Sequence, residues 1–204
     1  MPAATRLDIS ALPAVIDVMV DAFQDYPVMH FVIGPAGDVH ARLRRVVELF
    51  VTRRVRRGGP LLGVHDPASG VLAGAVAMTL PSEPEPPADL GVWVETVWQD
   101  LGPDAFERYQ HYASMWPQLE ATPHHHLNMI GVARTHAGRG YGRALLDAVH
   151  QMAADDPESS GVSLTTELAR NVDLYEHVGY HVVGRKTVAP GFETWGLFRP
   201  SRVT

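Results

Sequence analysis

The chain has 204 residues, a formal net charge of −6 and no cysteine. The lack of cysteine excludes a disulfide framework, a thiolate metal site and a cysteine nucleophile, and the acidic balance argues against a nucleic-acid partner and for a cationic substrate. The N-terminus lacks the basic and apolar segments of a signal peptide, and the longest apolar run, residues 71–78, is too short to cross a membrane. We therefore expect residues 1–204 to form one cytoplasmic domain without a membrane partner.

The first third of the chain predicts two helices followed by a strand hairpin. In chain order, the predicted elements are a short strand at 6–9, an amphipathic helix at 12–23, an irregular apolar segment at 27–37, a helix at 38–57 and strands at 61–65 and 71–80. Ser10 is the candidate N-cap of the first helix, and Asp25-Tyr26-Pro27 ends it. The second strand of the hairpin has almost no polar residue, so we expect both of its faces to be buried.

The predicted helix at 38–57 is crowded with arginines. They are Arg42, Arg44, Arg45, Arg53, Arg54, Arg56 and Arg57. A charge run of this kind is typical of a solvated helix face. The alternative is a docking surface for an acidic partner, which replacement of the last four arginines by glutamate would abolish.

Residues 81–122 are interpreted as a helical insertion. A proline-rich linker at 81–87 comes first, and helices are predicted at about 89–100 and 104–119. This pair either walls a substrate pocket or only covers one face of the sheet. The neighbourhood of Trp93 and Trp98 hints at an apolar pocket.

The most informative stretch, residues 127–152, reads as strand, glycine-rich loop and helix. Gly138, Gly140 and Gly142 come at every second position, directly before an amphipathic helix. The first amides of a helix have no internal partner and lie at the positive end of the helix dipole, so the loop suits a phosphate or pyrophosphate. Arg139 and Arg143 add positive charge. The glycine spacing is neither that of a dinucleotide fold nor that of a P-loop.

The last third of the chain continues the alternation of strands and helices. The predicted elements are a strand at 162–166, a short helix capped by Asn171 and ending at Gly179, and a hairpin of strands at 180–188 and 192–198. This order favours an α/β fold with at least one parallel pair of strands.

Two motifs in this half resemble those of the GNAT superfamily of acyl-CoA N-acyltransferases. Residues 137–142 are similar to (R/Q)-x-x-G-x-(G/A), with Ala137 in place of the usual Arg or Gln, and residues 171–180 are similar to N-x-x-(L/F/A)-Y-x-x-x-G-(F/Y). The resemblance covers residues 127–198. It implies an α/β fold with a mixed sheet of six or seven strands, flanked by helices, and with the helical insertion placed before the cofactor strand.

The resemblance also implies acetyl-CoA as co-substrate, no metal, and transfer of the acetyl group to a primary amine of a small molecule or peptide. A backbone N–H near residues 130–132 would polarise the thioester carbonyl. The residues expected to bind the cofactor are Ile130, Gly131, Val132, Ala137, Gly138, Arg139, Gly140, Tyr141, Gly142, Arg143, Asn171 and Tyr175. Without cysteine to carry an acyl group, direct attack in a ternary complex is expected.

Tyr175 is the expected general acid. It shares a helix face with Asn171, four residues earlier, and a tyrosine O–H near the leaving sulfur can donate a proton. The acceptor amine needs a base, because an amine of pKa ~10.4 is mostly protonated at neutral pH. His126 holds the position at which some family members carry a glutamate, Glu167 is the second candidate, and Glu95 the third.

Other interpretations stay open. The run His124-His125-His126 invites a metal site, but strand alternation separates the three rings and no third ligand is evident. A CoA-binding sensor without turnover is the functional alternative to an enzyme. The sequence leaves open the identity of the acceptor and whether the chain forms a homodimer.

Overall fold

The computed structural model describes residues 2–119 and 121–201, which form a seven-stranded mixed sheet with helices on both faces. The strands are β1 Thr5–Arg6, β2 Leu61–His65, β3 Leu72–Thr79, β4 His125–Val132, β5 Gly161–Thr166, β6 His181–Ala189 and β7 Phe192–Pro200. The helices are α1 Leu12–Phe23, α2 Pro27–Ile33, α3 Val39–Arg56, α4 Leu90–Leu101, α5 Pro103–Ser114, α6 Tyr141–Asp155 and α7 Ala169–Glu176. The strand order is β1-β2-β3-β4-β5-β7-β6, and the predicted fold class is confirmed.

The sheet separates two apolar cores. Helices α1 to α5 pack on one face, with Val46, Val97 and Met129 in their core. Helices α6 and α7 pack on the other face, where Leu127, Leu145 and other apolar side chains form the second core. As predicted, strand β3 is buried along nearly all of its length, because it supplies side chains to both cores.

A β-bulge in β4 changes which core its side chains enter. Ala77 of β3 pairs with Met129, but the next residue, Met78, pairs with Leu127, so Asn128 is the extra residue. Leu127 therefore belongs to the α6 side of the sheet and Met129 to the α1 side. In a regular strand, residues two apart face the same way.

Strands β4 and β5 are parallel neighbours over only a short distance. They pair at three positions, His125 with Val162, His126 with Ser163 and Leu127 with Leu164. Beyond Leu127 the two strands separate. The edge of β4 from residue 128 onward is therefore free of a β5 partner, and alternate backbone N–H and C=O groups face the opening.

Three local predictions were wrong. Residues 27–33 form helix α2 instead of an irregular segment, because Pro27 stands at the first helical position, where its missing N–H is harmless. The residue before α1 is Ala11, and Ser10 donates its backbone N–H to the Asp8 side chain at 2.9 Å instead of capping the helix. Asn171 lies within α7, whose N-cap is Leu168.

The arginines of α3 are largely paired within the fold. Ion pairs are formed by four of them: Arg44, Arg45, Arg56 and Arg57. Their acidic partners lie in α1, in α3 itself, in α4, at the residue before α4 and in the linker at 81–87. Arg42 donates to the carbonyl of Ile33 at 2.6 Å. Four of the seven charges are thus balanced internally, which favours the solvated-face interpretation over an acidic docking partner.

None of the helices within the described ranges is long and apolar enough to cross a membrane.

Candidate active site

Two cavities flank the opening between β4 and β5. The first, named the acceptor cavity for the role that the sequence predicts, has a volume of about 800 Å³ including its mouth and lies on the α1–α5 side of the sheet. The second, named the cofactor cleft for its predicted role, has a volume of about 1320 Å³ including open solvent and is lined by β4, α6 and α7. Ile130, Asn171 and Tyr175 line both. Two ligands that enter the two cavities therefore meet at Tyr175.

Most of the predicted cofactor-binding residues lie at the cleft. Those that line it directly are Ile130, Gly131, Val132, Gly142, Arg143, Asn171 and Tyr175. The exposed loop that leads into Gly142 consists of Ala137, Gly138, Arg139 and Gly140. The side chain of Asn171 donates to the Thr166 hydroxyl at 3.1 Å, which fixes α7 against the end of β5.

The glycine loop presents a row of backbone N–H groups. Gly138 and Gly140 have φ of +75° and +82°, values that side chains disfavour, and Gly140 is the residue before α6. Within the described structure, no backbone carbonyl accepts from the amides of residues 138–143. Successive N–H groups at a helix N-terminus suit an anion, and that this loop binds one stays a prediction.

Tyr141 was expected to bind the cofactor, but its side chain points away from the cleft. The ring is buried in the core under α6, and its hydroxyl donates to Asp66 at 2.7 Å. The Ser69 hydroxyl donates to the other oxygen of Asp66 at 2.8 Å. These two hydroxyls hold the pKa of Asp66 down at about 2, with Tyr141 the larger cause. The bond anchors the start of α6 to the turn after β2.

We expect Tyr141→Phe to weaken the fold above pH 4 and to flatten its acid dependence. A folded-state pKa of about 2, below the ordinary 3.8, contributes stability that is present above pH 3.8 and is lost as pH falls toward 2. Thermal melts from pH 2 to 6 should show a smaller change in Tm for Tyr141→Phe than for wild type. Ser69→Ala should lie between them. Identical pH profiles for all three proteins would contradict the assignment.

Glu167 lies buried at the wall of the acceptor cavity, directly after β5. Its Oε1 accepts hydrogen bonds from the hydroxyls of Tyr112, at 2.8 Å, and Thr194, at 2.9 Å. Its backbone N–H donates to the Tyr26 hydroxyl at 3.2 Å. Burial raises the pKa of this carboxyl above its ordinary value of 4.5, although the hydrogen bonds oppose the shift. The carboxylate is therefore held in one orientation and is more basic than usual.

Tyr175 is 8% exposed and lies between the two cavities. Its ring packs edge-on against Tyr180 at 5.5 Å between centroids. Its hydroxyl forms no hydrogen bond with any residue in the described ranges. Burial, and secondly the charge of Glu167, raise its pKa well above the ordinary 10. The hydroxyl therefore stays protonated at neutral pH and is free to donate to a ligand.

The three consecutive histidines have different environments. His125 is buried and contacts Ser159, whereas His126 lines the acceptor cavity and its Nδ1 pairs with the Ser163 hydroxyl at 2.8 Å. Burial, and secondly the Arg54 cation, lower the pKa of His126 to about 3. His124 pairs with the carbonyl of Thr122. In the described part of the chain, no three acidic or histidine side chains come together as a metal site.

Sequence reasoning missed four side chains of the acceptor cavity: Tyr26, Arg54, Tyr112 and Trp116. Arg54 had a detectable signal, because it follows Phe50 and Val47 at helical spacing on the buried stripe of α3. Tyr112 and Trp116 lie on or just after α5, so this helix does wall the cavity. Trp93 and Trp98 do not line it, since Trp98 packs against Phe50 and Tyr109 instead. Glu95 is exposed on α4 and lines neither cavity.

Comparison with known proteins finds a family match over part of the sequence and structural similarity over the whole fold. Residues 103–182 match the family model described as an acetyltransferase (GNAT) domain. A solved structure from Corynebacterium glutamicum, described as a histone acetyltransferase HPA2 and related acetyltransferase, superposes with a TM-score of 0.70 at 18% identity, covering 100% of this chain and 98% of that one. Arylalkylamine N-acetyltransferase 2 from Aedes aegypti gives a TM-score of 0.65 at 12% identity, covering 98% and 99%.

A third similar structure is the NatC complex bound to Gag peptide and CoA, with a TM-score of 0.54, 14% identity and coverage of 100% and 99%. At these identities the superpositions establish the fold. Together with the match over residues 103–182, they show a GNAT-like fold, with no subfamily assigned.

Proposed function

We propose that the protein transfers an acetyl group from acetyl-CoA to a primary amine, by direct attack in a ternary complex. The observation that carries this proposal is the meeting of the two cavities at Tyr175, with the buried carboxylate of Glu167 on the acceptor side. The C–S bond of the thioester would lie at the junction. The acceptor amine would reach it from the opposite cavity without displacing the cofactor.

The cofactor would lie along the cleft. The unpaired amides of residues 138–143 would hold the pyrophosphate, with Arg143 close by. The free edge of β4 would pair with the pantetheine arm, and a backbone N–H near residues 130–132 would hold the thioester oxygen as negative charge develops on it. Ala137 removes one side-chain contact but none of these amides.

Glu167 and Tyr175 are assigned as base and acid. The amine nitrogen attacks the carbonyl carbon, so that a C–N bond forms and the C–S bond breaks. Glu167 takes the proton released by the nitrogen, and the Tyr175 hydroxyl gives a proton to the departing thiolate. His126 is the less suitable base, because a group with a pKa of about 3 has little affinity for a proton at neutral pH.

Calorimetry with acetyl-CoA, followed by CoA release against a panel of amines, tests this function. We expect binding and amine-dependent release of CoA. The alternative, a CoA-binding sensor, predicts binding without turnover on any amine. The Glu167 network favours the enzyme, because a sensor has no need of a buried basic carboxylate beside the thioester. Failure of acetyl-CoA to bind would reject both functions.

Gly142 offers a test of the cleft that separates binding from folding. A Cβ at this position would meet nothing nearer than Val132 Cγ2, at 3.8 Å. Gly142→Ala should therefore fold, gain roughly 0.5–1 kcal/mol from the better helix former, and still bind acetyl-CoA. Gly142→Leu should keep the fold but fill the cleft, and its Kd measured by calorimetry should rise at least tenfold. Equal affinity of the two variants would show that the cofactor does not approach α6 here.

A further inference from the structure

The acceptor cavity carries a second polar group apart from the Glu167 network. We call it the donor wall: Arg54 of α3, Trp116 after α5 and Asn128 at the β4 bulge. Among the residues of 2–119 and 121–201 that line the cavity, Glu167 is the single carboxylate and Arg54 the single arginine or lysine. The positions of this acidic and this basic side chain limit which acceptors fit.

Arg54 has no carboxylate within 4 Å among the described residues, and Glu83, which pairs with Arg57, acts on it only from a greater distance. Its neighbours Arg56 and Arg57 form ion pairs with Asp89 and Glu83, whereas Arg54 forms none within the described ranges. Its contacts are a long hydrogen bond of 3.5 Å to the Phe50 carbonyl and the Phe50 ring, whose centroid lies 5.9 Å from the guanidinium carbon. Withdrawing a guanidinium from water without a counter-ion is unfavourable. An anionic ligand in the cavity would supply that counter-ion.

Two other residues of this wall each have a neutral side-chain N–H group without a partner among the described residues. Trp116 Nε1 is buried and has no hydrogen-bond partner among residues 2–119 and 121–201, although a buried indole N–H usually has one. Asn128 Oδ1 accepts from the Thr79 hydroxyl at 2.7 Å, so the Nδ2 of Asn128 is left as a donor. The wall thus combines a cation with N–H donors, which is the pattern that recognises a carboxylate.

Arg54 lies at the His126 end of the cavity, whereas Trp116 lies between His126 and Tyr112, with ring centroids 6.0 Å from each. His126, which is close enough to Arg54 for that cation to lower its pKa, pairs in register with Ser163. Glu167 comes four residues after Ser163 in the chain, which places it on the order of 13 Å further along the strand direction at ~3.3 Å per residue. This figure is a distance along the backbone, and the side chains of Arg54 and Glu167 both line the cavity. An acceptor that touches both groups needs several bonds between its amine and its anion.

We propose that the acceptor is a small amino-acid-type molecule, with its reactive amine several bonds away from a carboxylate. This inference rests on the proposed acetyl transfer. The carboxylate binds Arg54 with help from Trp116 and Asn128, and the amine at the other end reaches Glu167 and the thioester. The lining comes from α1, α2, α3, α5, α7, β4 and β5, which enclose a pocket and not an open peptide groove.

A matched pair of acceptors tests the inference: 6-aminohexanoate and hexylamine differ only in the terminal carboxylate. Wild type is expected to acetylate 6-aminohexanoate with a kcat/KM at least tenfold above that for hexylamine. In Arg54→Met the ratio of the two values should fall toward one, since a charge-assisted hydrogen bond accounts for about a 10- to 100-fold effect. Arg53→Met, on the same helix but lining neither cavity, should keep the wild-type ratio. Trp116→Phe should reduce the ratio by a few-fold.

A second measurement does not depend on turnover. The product 6-acetamidohexanoate should raise the Tm of wild type and of Arg53→Met, and should raise that of Arg54→Met much less. If wild type acetylates hexylamine as well as 6-aminohexanoate, the inference is overturned while acetyl transfer stands. If the product binds through Arg54 but no amine is acetylated, acetyl transfer fails and the anion site stands. If the product does not bind wild type, the donor wall has no such ligand.

Discussion

Replacement of Glu167 by glutamine is expected to lower kcat/KM for amine acetylation about a hundredfold or more, the usual contribution of a general base. Glutamine keeps the oxygen that accepts from Tyr112 and Thr194, so the cavity should retain its shape. Glu167→Gln should therefore lose turnover but bind acetyl-CoA with the affinity of wild type. Glu176→Gln, an exposed change one residue after Tyr175, should leave both unchanged.

The pH dependence of the same variant gives an independent readout. Because burial raises the pKa of Glu167 above 4.5, the base becomes protonated at a higher pH than an exposed glutamate, and kcat/KM of wild type should decline on an acid limb centred above pH 4.5. Glu167→Gln should lack that limb. Because the pKa of Glu167 is higher in the folded state than in the unfolded chain, the free energy of unfolding decreases as pH rises from the ordinary pKa of 4.5 through the raised one. The variant should therefore be no less stable than wild type at neutral pH. If the acid limb of wild type persists in Glu167→Gln, another group is the general base.

Tyr175→Phe is expected to lower kcat by about a hundredfold or more, because the departing thiolate loses its proton donor. The fold should be unaffected, since the Tyr175 hydroxyl has no hydrogen bond to any described residue. Tyr180→Phe is the matched control. Its hydroxyl pairs with His150 Nε2 at 3.1 Å and lines neither cavity.

The two tyrosine variants should therefore fail in opposite ways. Tyr180→Phe should lose about 1 kcal/mol of stability, the typical contribution of one hydrogen bond, and retain its rate. Tyr175→Phe should retain its stability and lose its rate. Single-turnover measurements with acetyl-CoA and a reactive amine distinguish chemistry from product release. An unchanged single-turnover rate in Tyr175→Phe would remove this residue from the reaction.

Local patterns predicted much of the fold. Helix α1 and strand β2 occur at the predicted bounds, because amphipathic spacing and flanking glycine and proline residues fix them within the chain. Helix α2 was missed, since a seven-residue apolar segment shows no helical period, and only Pro27 marks its start. The chain order also predicted a parallel strand pair, but not that β4 and β5 would separate after three residue pairs.

The candidate site could be predicted only where a motif marks it. The glycine loop and Tyr175 belong to local motifs, so one stretch of sequence contains both the residues and their geometry. The Glu167 network joins Tyr26, Tyr112 and Thr194, which are far apart in the chain. No period or spacing connects such residues, because they are brought together by packing between helices and sheet. The lowered pKa of His126 likewise depends on its burial and, secondly, on Arg54, a residue of another element.

The bulge at Asn128 marks the one position of β4 at which the strand carries a residue more than its partner. Removal of Asn128 would make Leu127 and Met129 adjacent in a regular strand, where neighbours face opposite sides, so each would stay in its own core. Removal of a residue between Met129 and Val132 would instead shift that half of the strand by one position and turn its side chains to the opposite faces. In a deletion scan through this strand, loss of Asn128 should therefore be the least damaging to stability.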